Sequence, residues 1–68
     1  MGLSYNKLKK LMIDNKMDRN DLMRAAELSS YMATKINKNE PVSMEALMRI
    51  CKVFHCDIGD ICEVIIDE

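Results

Sequence analysis

Apolar and polar positions alternate along this chain with helical spacing, and the pattern restarts five times. Each restart has the same form: a Ser or Asp, an apolar residue just before it, and another apolar residue four positions after it. Ser4 lies between Leu3 and Leu8, Asp18 between Met17 and Leu22, and Ser29 between Leu28 and Ala33. Ser43 lies between Val42 and Leu47, and Asp57 between Cys56 and Ile61. Ser and Asp oxygens accept hydrogen bonds from the free N–H groups of a first helical turn. The flanking apolar pair is a hydrophobic staple that fixes how the chain enters the helix. The spacing predicts five helices, at about 4–15, 18–26, 29–37, 43–55 and 57–62.

The faces agree with these boundaries. Leu8, Leu11 and Met12 share one side of the first helix, with Lys7, Lys9 and Lys10 among them. Leu47, Ile50, Cys51 and Phe54 form a stripe on the fourth, while Glu45 and Arg49 stand one turn apart and can pair. Asp18, Asp21, Asp57 and Asp60 fall in predicted first turns, where the helix dipole favours negative charge. Pro41 blocks continuation of the third helix. The β-branched tail, residues 63–68, is expected to be extended, with Val64, Ile65 and Ile66 either folded onto the first and fourth helices or forming a subunit contact.

Composition narrows the possibilities. The chain has 68 residues, room for one domain only, and its 49% apolar content is enough for a core. One Pro and two Gly argue against a turn-rich β-sandwich or barrel. The longest apolar runs are three residues, Leu11-Met12-Ile13 and Val64-Ile65-Ile66 among them, far short of the roughly 20 residues that span a bilayer. No secretory signal is recognised, and three cysteines cannot all pair within one chain, so a reduced, cytoplasmic setting is expected. The net charge of −1 conceals an asymmetry: residues 1–38 carry eight Lys or Arg against four acids, and residues 39–68 carry two against seven. A basic half suits an anionic partner.

The centre of the chain resembles the helix-turn-helix unit of the Cro/lambda-repressor-like regulators, the XRE family. In residues 18–37 the matching inward positions are Leu22, Ala26, Leu28, Ala33 and Ile36, with Leu28-Ser29-Ser30 opening the second helix of the pair. The likeness continues through Asn39-Glu40-Pro41-Val42-Ser43-Met44, Leu47-Met48-Arg49-Ile50-Cys51 and Cys56-Asp57-Ile58-Gly59-Asp60-Ile61, covering roughly residues 4–66. It implies an all-α, five-helix, lambda-repressor-like domain and a sequence-specific DNA-binding regulator of transcription, a repressor occupying an operator. Two positions depart from the family pattern. Met23 stands where Ala is usual at the helix crossing, and Glu27 where Gly is usual at the turn. A non-Gly residue held left-handed costs roughly 1–2 kcal/mol, so a slightly reshaped turn and a wider crossing are expected.

In such regulators the second helix of the pair enters the major groove. The resemblance makes Ser30, Tyr31, Thr34 and Lys35 base-facing; Lys35 could donate to guanine O6 and N7, and Tyr31 could meet a thymine methyl. Met32 stands between a packing role and a thymine contact. Arg19, Asn20, Ser29, Lys38 and Asn39 are the expected phosphate contacts. Double-stranded DNA is the expected partner, bound by a homodimer that reads two half-sites and joins through the tail. A module of the same fold that binds protein instead, antirepressor- or antitoxin-like, is the alternative, motivated by the net charge, Glu27 and Met23.

Cys51, His55, Cys56 and Cys62 suggest a metal site, since zinc takes thiolate and imidazole. Short zinc-binding chains usually show C-x₂-C pairs, which are absent here. Cys51 lies in a core stripe and Cys56 at a staple, so both read as small apolar residues, His55 as a helix-end residue, and Cys62 as the exposed thiol. No metal, cofactor or small-molecule ligand is expected. Nor is an enzyme, since the single His has no nucleophile or carboxylate constellation around it.

Overall fold

The computed structural model describes residues 1–67. Among these, the chain runs β1 (Gly2–Ser4), α1 (Asn6–Asp14), α2 (Arg19–Ala26), α3 (Ser30–Asn37), α4 (Met44–Phe54), a 3₁₀ turn (Ile58–Asp60) and β2 (Glu63–Ile65). Four helices form rather than five, and the fold is not purely α. β1 and β2 pair antiparallel with Gly2 opposite Ile65, Leu3 opposite Val64 and Ser4 opposite Glu63.

Both departures from expectation occur where the chain ends meet. Ser4 does not cap α1 in the expected way: it is a buried strand residue, and its hydroxyl accepts the Asn6 N–H at 3.2 Å. A second free donor of that first turn, the Leu8 N–H, goes to the Ile61 carbonyl at 3.2 Å. The helix therefore starts two residues late, with its end satisfied by the C-terminal segment. The expected fifth helix shrinks to one 3₁₀ turn. Its capping box is present, with the Asp57 N–H on Asp60 Oδ2 at 3.0 Å and the Ile58 N–H on Asp57 Oδ1 at 2.8 Å. A few residues cannot carry a helix on capping alone, and the following β-branched residues pair with β1 instead. Residues Glu63–Ile65 of the tail are thus extended as expected, and they pair with β1. Glu68, the last residue of the expected tail, lies outside the described residues.

The core gathers one residue or more from each helix and from the C-terminal turn. Tyr5, Leu8, Ile50 and Ile61 are its largest fully buried members, joined by Leu22, Ala26, Leu28, Ile36 and Ala46. Leu11, Met12, Leu47, Cys51 and Phe54 pack around them, as the helical stripes predicted.

All four helices end alike. Lys16, Glu27, Asn39 and His55 are left-handed, with φ of 54°, 56°, 58° and 51°. After each, an N–H reaches back to the carbonyl five residues earlier: Met17 to Met12 at 2.8 Å, Leu28 to Met23 at 2.9 Å, Glu40 to Lys35 at 2.8 Å and Cys56 to Cys51 at 3.1 Å. These are Schellman motifs, which use the left-handed residue to satisfy the last carbonyls and bring together the side chains of the two bonded residues. Three of the four pairs are apolar or thiol: Met12 with Met17, Met23 with Leu28, and Cys51 with Cys56. Met17, Leu28 and Cys56 also serve as the apolar residue before the next cap, so each closes one helix and opens the next element.

Candidate nucleic-acid interface

The bihelical unit begins with a capping box. The Asp21 N–H donates to Asp18 Oδ1 at 2.8 Å, and the Asp18 N–H returns to Asp21 Oδ2 at 3.1 Å. This holds the first turn of α2, and with it Arg19 and Asn20, both exposed. α2 ends at left-handed Glu27, whose carbonyl accepts from Arg49 Nη1 at 3.2 Å. Arg49 is itself held by Glu45 at 2.6 Å, the pair expected from their spacing. Glu27 thus takes the conformation that suits Gly, with α4 bracing it. Met23, half-buried, is the partner of Leu28 in the Schellman motif. The turn is therefore formed with Glu27 in place.

Ser29 caps α3, its hydroxyl accepting the Met32 N–H at 3.2 Å. Leu28, Ala33 and Ile36 turn inward and are buried, as expected, and Met32 packs on the core. The opposite face of α3 carries Ser30, Tyr31, Thr34 and Lys35. Tyr31 is 68% exposed, and the Lys35 ammonium stands over its ring, 5.2 Å from the centroid. Such a cation–π pair favours one placement of both side chains. Thr34 is half-buried: its hydroxyl donates to the Ser30 carbonyl at 2.8 Å and accepts from Arg19 Nη2 at 2.9 Å. The same Arg19 nitrogen also reaches the Ser30 carbonyl at 3.3 Å. Arg19, expected on a phosphate, therefore also ties the start of α2 to α3.

Lys38 and Asn39 follow α3, both exposed. Asn39 Oδ1 accepts the Tyr5 N–H at 3.2 Å, and the Tyr5 hydroxyl donates to the Glu40 carbonyl at 2.8 Å. Only the amide nitrogen of Asn39 is thus uncommitted by this contact. Tyr5, which no local sequence signal marks, anchors the loop leaving α3. Burial pushes its phenol above the ordinary value, and the neighbouring Cys62 adds to the effect.

The cysteines are all free and half-buried. Cys62 is not the exposed thiol expected: its sulfur lies 3.6 Å from the Ile58 carbonyl, and burial pushes the thiol up, against a smaller lowering by Lys7. Among the described residues no group of three or more His, Cys, Asp or Glu is placed to hold a metal ion. Nor, among them, is any helix long and apolar enough to cross a membrane.

An exposed, partly basic helix behind a capped partner helix defines a helix-turn-helix protein. The match to known sequences makes this specific: residues 7–67 match the Cro/C1-type HTH DNA-binding domain, and the chain belongs to that family. The chain is also similar to a solved transcriptional regulator, VanUg (crystal form II), at 45% identity and a TM-score of 0.87, over 91% of this chain and 83% of that one. No curated protein matches the sequence significantly.

Proposed function

We propose that this chain regulates transcription as a repressor, reading an operator in double-stranded DNA through α3. The observation that carries the reading is the Lys35–Tyr31 pair on the outer face of α3, 5.2 Å from ammonium to ring. Lys35 is the base-reading donor, suited to guanine O6 and N7, and Tyr31 offers a ring edge or hydroxyl beside it. Ser30 and Thr34 complete that face; the hydroxyl of Thr34 is engaged by Arg19, so its methyl is the group it offers to a base. Arg19, Asn20, Ser29, Lys38 and Asn39 flank the face as phosphate contacts, which fix register without reading sequence. A cytoplasmic location follows from this role.

The same reading includes a homodimer. Two-fold symmetric regulators place their recognition helices about 34 Å apart, and a molecule measuring 37 × 23 × 18 Å allows neighbouring copies to do so. The contact would use Val64 on β2 and Ile66 just beyond it, which are 62% and 68% exposed. The test is a salt titration of mobility shifts on genomic fragments. Specific retention of a few fragments at moderate salt is expected, with random DNA released early because the net charge is −1. Failure of the wild-type chain to retain any DNA would favour the protein-binding alternative.

A further inference from the structure

We propose that Cys51 and Cys56 form a reversible dithiol–disulfide site, placed by the Schellman motif at the end of α4 and closed by exchange with a low-molecular-weight disulfide. Three observations support it. The Cys56 N–H donates to the Cys51 carbonyl at 3.1 Å across left-handed His55, the arrangement that brings these two side chains together. Both side chains pack against the same buried core cluster, so they lie at one edge of it. Both cysteines are free and only half-buried, which leaves room for a small reagent to approach them. The corresponding pairs after α1 and α2 are Met12 with Met17 and Met23 with Leu28, which fill the same place and cannot react in this way.

The chemistry balances without a metal. The Cys56 thiolate attacks one sulfur of the reagent, forming a mixed disulfide and expelling a thiolate that takes up the proton Cys56 lost. Cys51 then gives up its proton and attacks the Cys56 sulfur, expelling the second thiolate, which is protonated in turn. Two protein thiols are oxidised and one disulfide is reduced to two thiols. Burial, with Cys56 beside it, pushes the Cys51 thiol up, which suits it to the second, intramolecular step, where proximity compensates for a smaller thiolate fraction. Cys62 is held on the Ile58 carbonyl and stays reduced. The closed ring encloses His55 and fastens the end of α4.

The probe is oxidised glutathione in mixtures with its reduced form, applied to the full chain, followed by acid quenching, alkylation and mass spectrometry. The expected product has lost two hydrogens and keeps one of its three free thiols. Cleavage after Lys52 separates Cys51 from Cys56, so the disulfide leaves two peptides joined. Cys62→Ser should close equally well, whereas Cys51→Ser and Cys51→Ala should each stop at a single glutathione adduct with helical dichroism retained. The effective concentration of the pair should be at least about tenfold higher in the folded chain than in denaturant. A ratio near one, a disulfide that needs Cys62, or cross-linked dimers in place of the internal ring would overturn the proposal.

Discussion

Arg19 and Thr34 are joined across the helix-turn-helix unit, guanidinium to hydroxyl at 2.9 Å. The bond runs from the first residue of α2 to the middle of α3, so a residue proposed to meet a phosphate also fixes the helix proposed to meet the bases. Losing Arg19 should therefore have two separable effects. Arg19→Ala should weaken binding to operator and random duplex, and lower the slope of log affinity against log salt by about 0.9. Thr34→Val, which removes the acceptor but keeps the charge, should leave that slope unchanged and reduce affinity for the operator alone. Salt titrations of both variants on matched and scrambled duplexes separate the two contributions; a shallower slope for Thr34→Val would refute the assignment.

Lys35 should behave differently from Arg19. Lys35→Ala should cost about 1–3 kcal/mol on the operator and flatten base preference at one position. Tyr31→Phe keeps the ring beneath the ammonium and should retain most of that preference, whereas Tyr31→Ala should not. Binding selections from randomised duplexes would show the lost position directly, and unchanged preference in Lys35→Ala would remove α3 as the reader.

Glu27 offers a stability test with a definite sign. Its left-handed φ of 56° carries a steric cost that Gly does not incur. Glu27→Gly should stabilise the fold by about 1 kcal/mol, equivalent to about 4–8 °C in melting temperature for a domain of this size. The Arg49 bond is to the Glu27 carbonyl, so it survives the change. Glu27→Val should destabilise. A lower melting temperature for Glu27→Gly in thermal melts would show that the Glu side chain itself stabilises the turn.

Three groups have folded-state pKa values raised above their ordinary values, and all raise the same expectation. Burial is the main cause for Cys51, Cys62 and Tyr5. Each is neutral when protonated, so its contribution is present below its unfolded pKa and is lost as pH rises towards the folded one. Stability should fall first above about 9, the ordinary thiol value, and again above about 10, the phenol value. Denaturant midpoints across alkaline pH should show both steps. Tyr5→Phe should remove the second while costing about 0.5–1.5 kcal/mol at neutral pH for the lost bond to Glu40.

The exposed chain-end strand tests association. Val64→Asp combined with Ile66→Asp adds charge where neither side chain is buried, so the monomer should keep its melting temperature. Sedimentation should then show loss of the proposed homodimer. If the doubly substituted chain sediments as the wild type does, this face is not the contact.

The helices of the centre were legible because their signals are local. Asp18, Ser29 and Ser43 each accept the backbone hydrogen bond expected of them, and the inward residues follow from helical spacing. Ser4 misled because its cap signal competes with a partner 59 residues away: strand pairing with Glu63 is invisible in the neighbouring sequence. Cys62 misled for the same reason, since proximity to a chain end does not show what folds over it. In the candidate site, residue types and outward positions on α3 could be read from spacing. The Arg19–Thr34 bond and the Tyr5 anchor could not, because both depend on side-chain reach between elements. Met23 did carry a readable signal: it stands five residues before Leu28, as Met12 does before Met17 and Cys51 before Cys56.

The shared residues Met17, Leu28 and Cys56 leave the connections without slack. Each belongs to two elements at once, so a change in chain length there is a change of phase. One residue inserted between Glu27 and Leu28 would turn the apolar stripe of one helix by about 100° relative to its neighbour. Leu28, Ala33 and Ile36 could not then face Leu22 and Ala26 together. Substitutions at these corners perturb a contact, whereas insertions there misalign the molecule. Variation in length would be confined to the stretch from Lys38 to Val42 and to the chain ends, and the turn of the bihelical unit would keep its residue count even as its residues change.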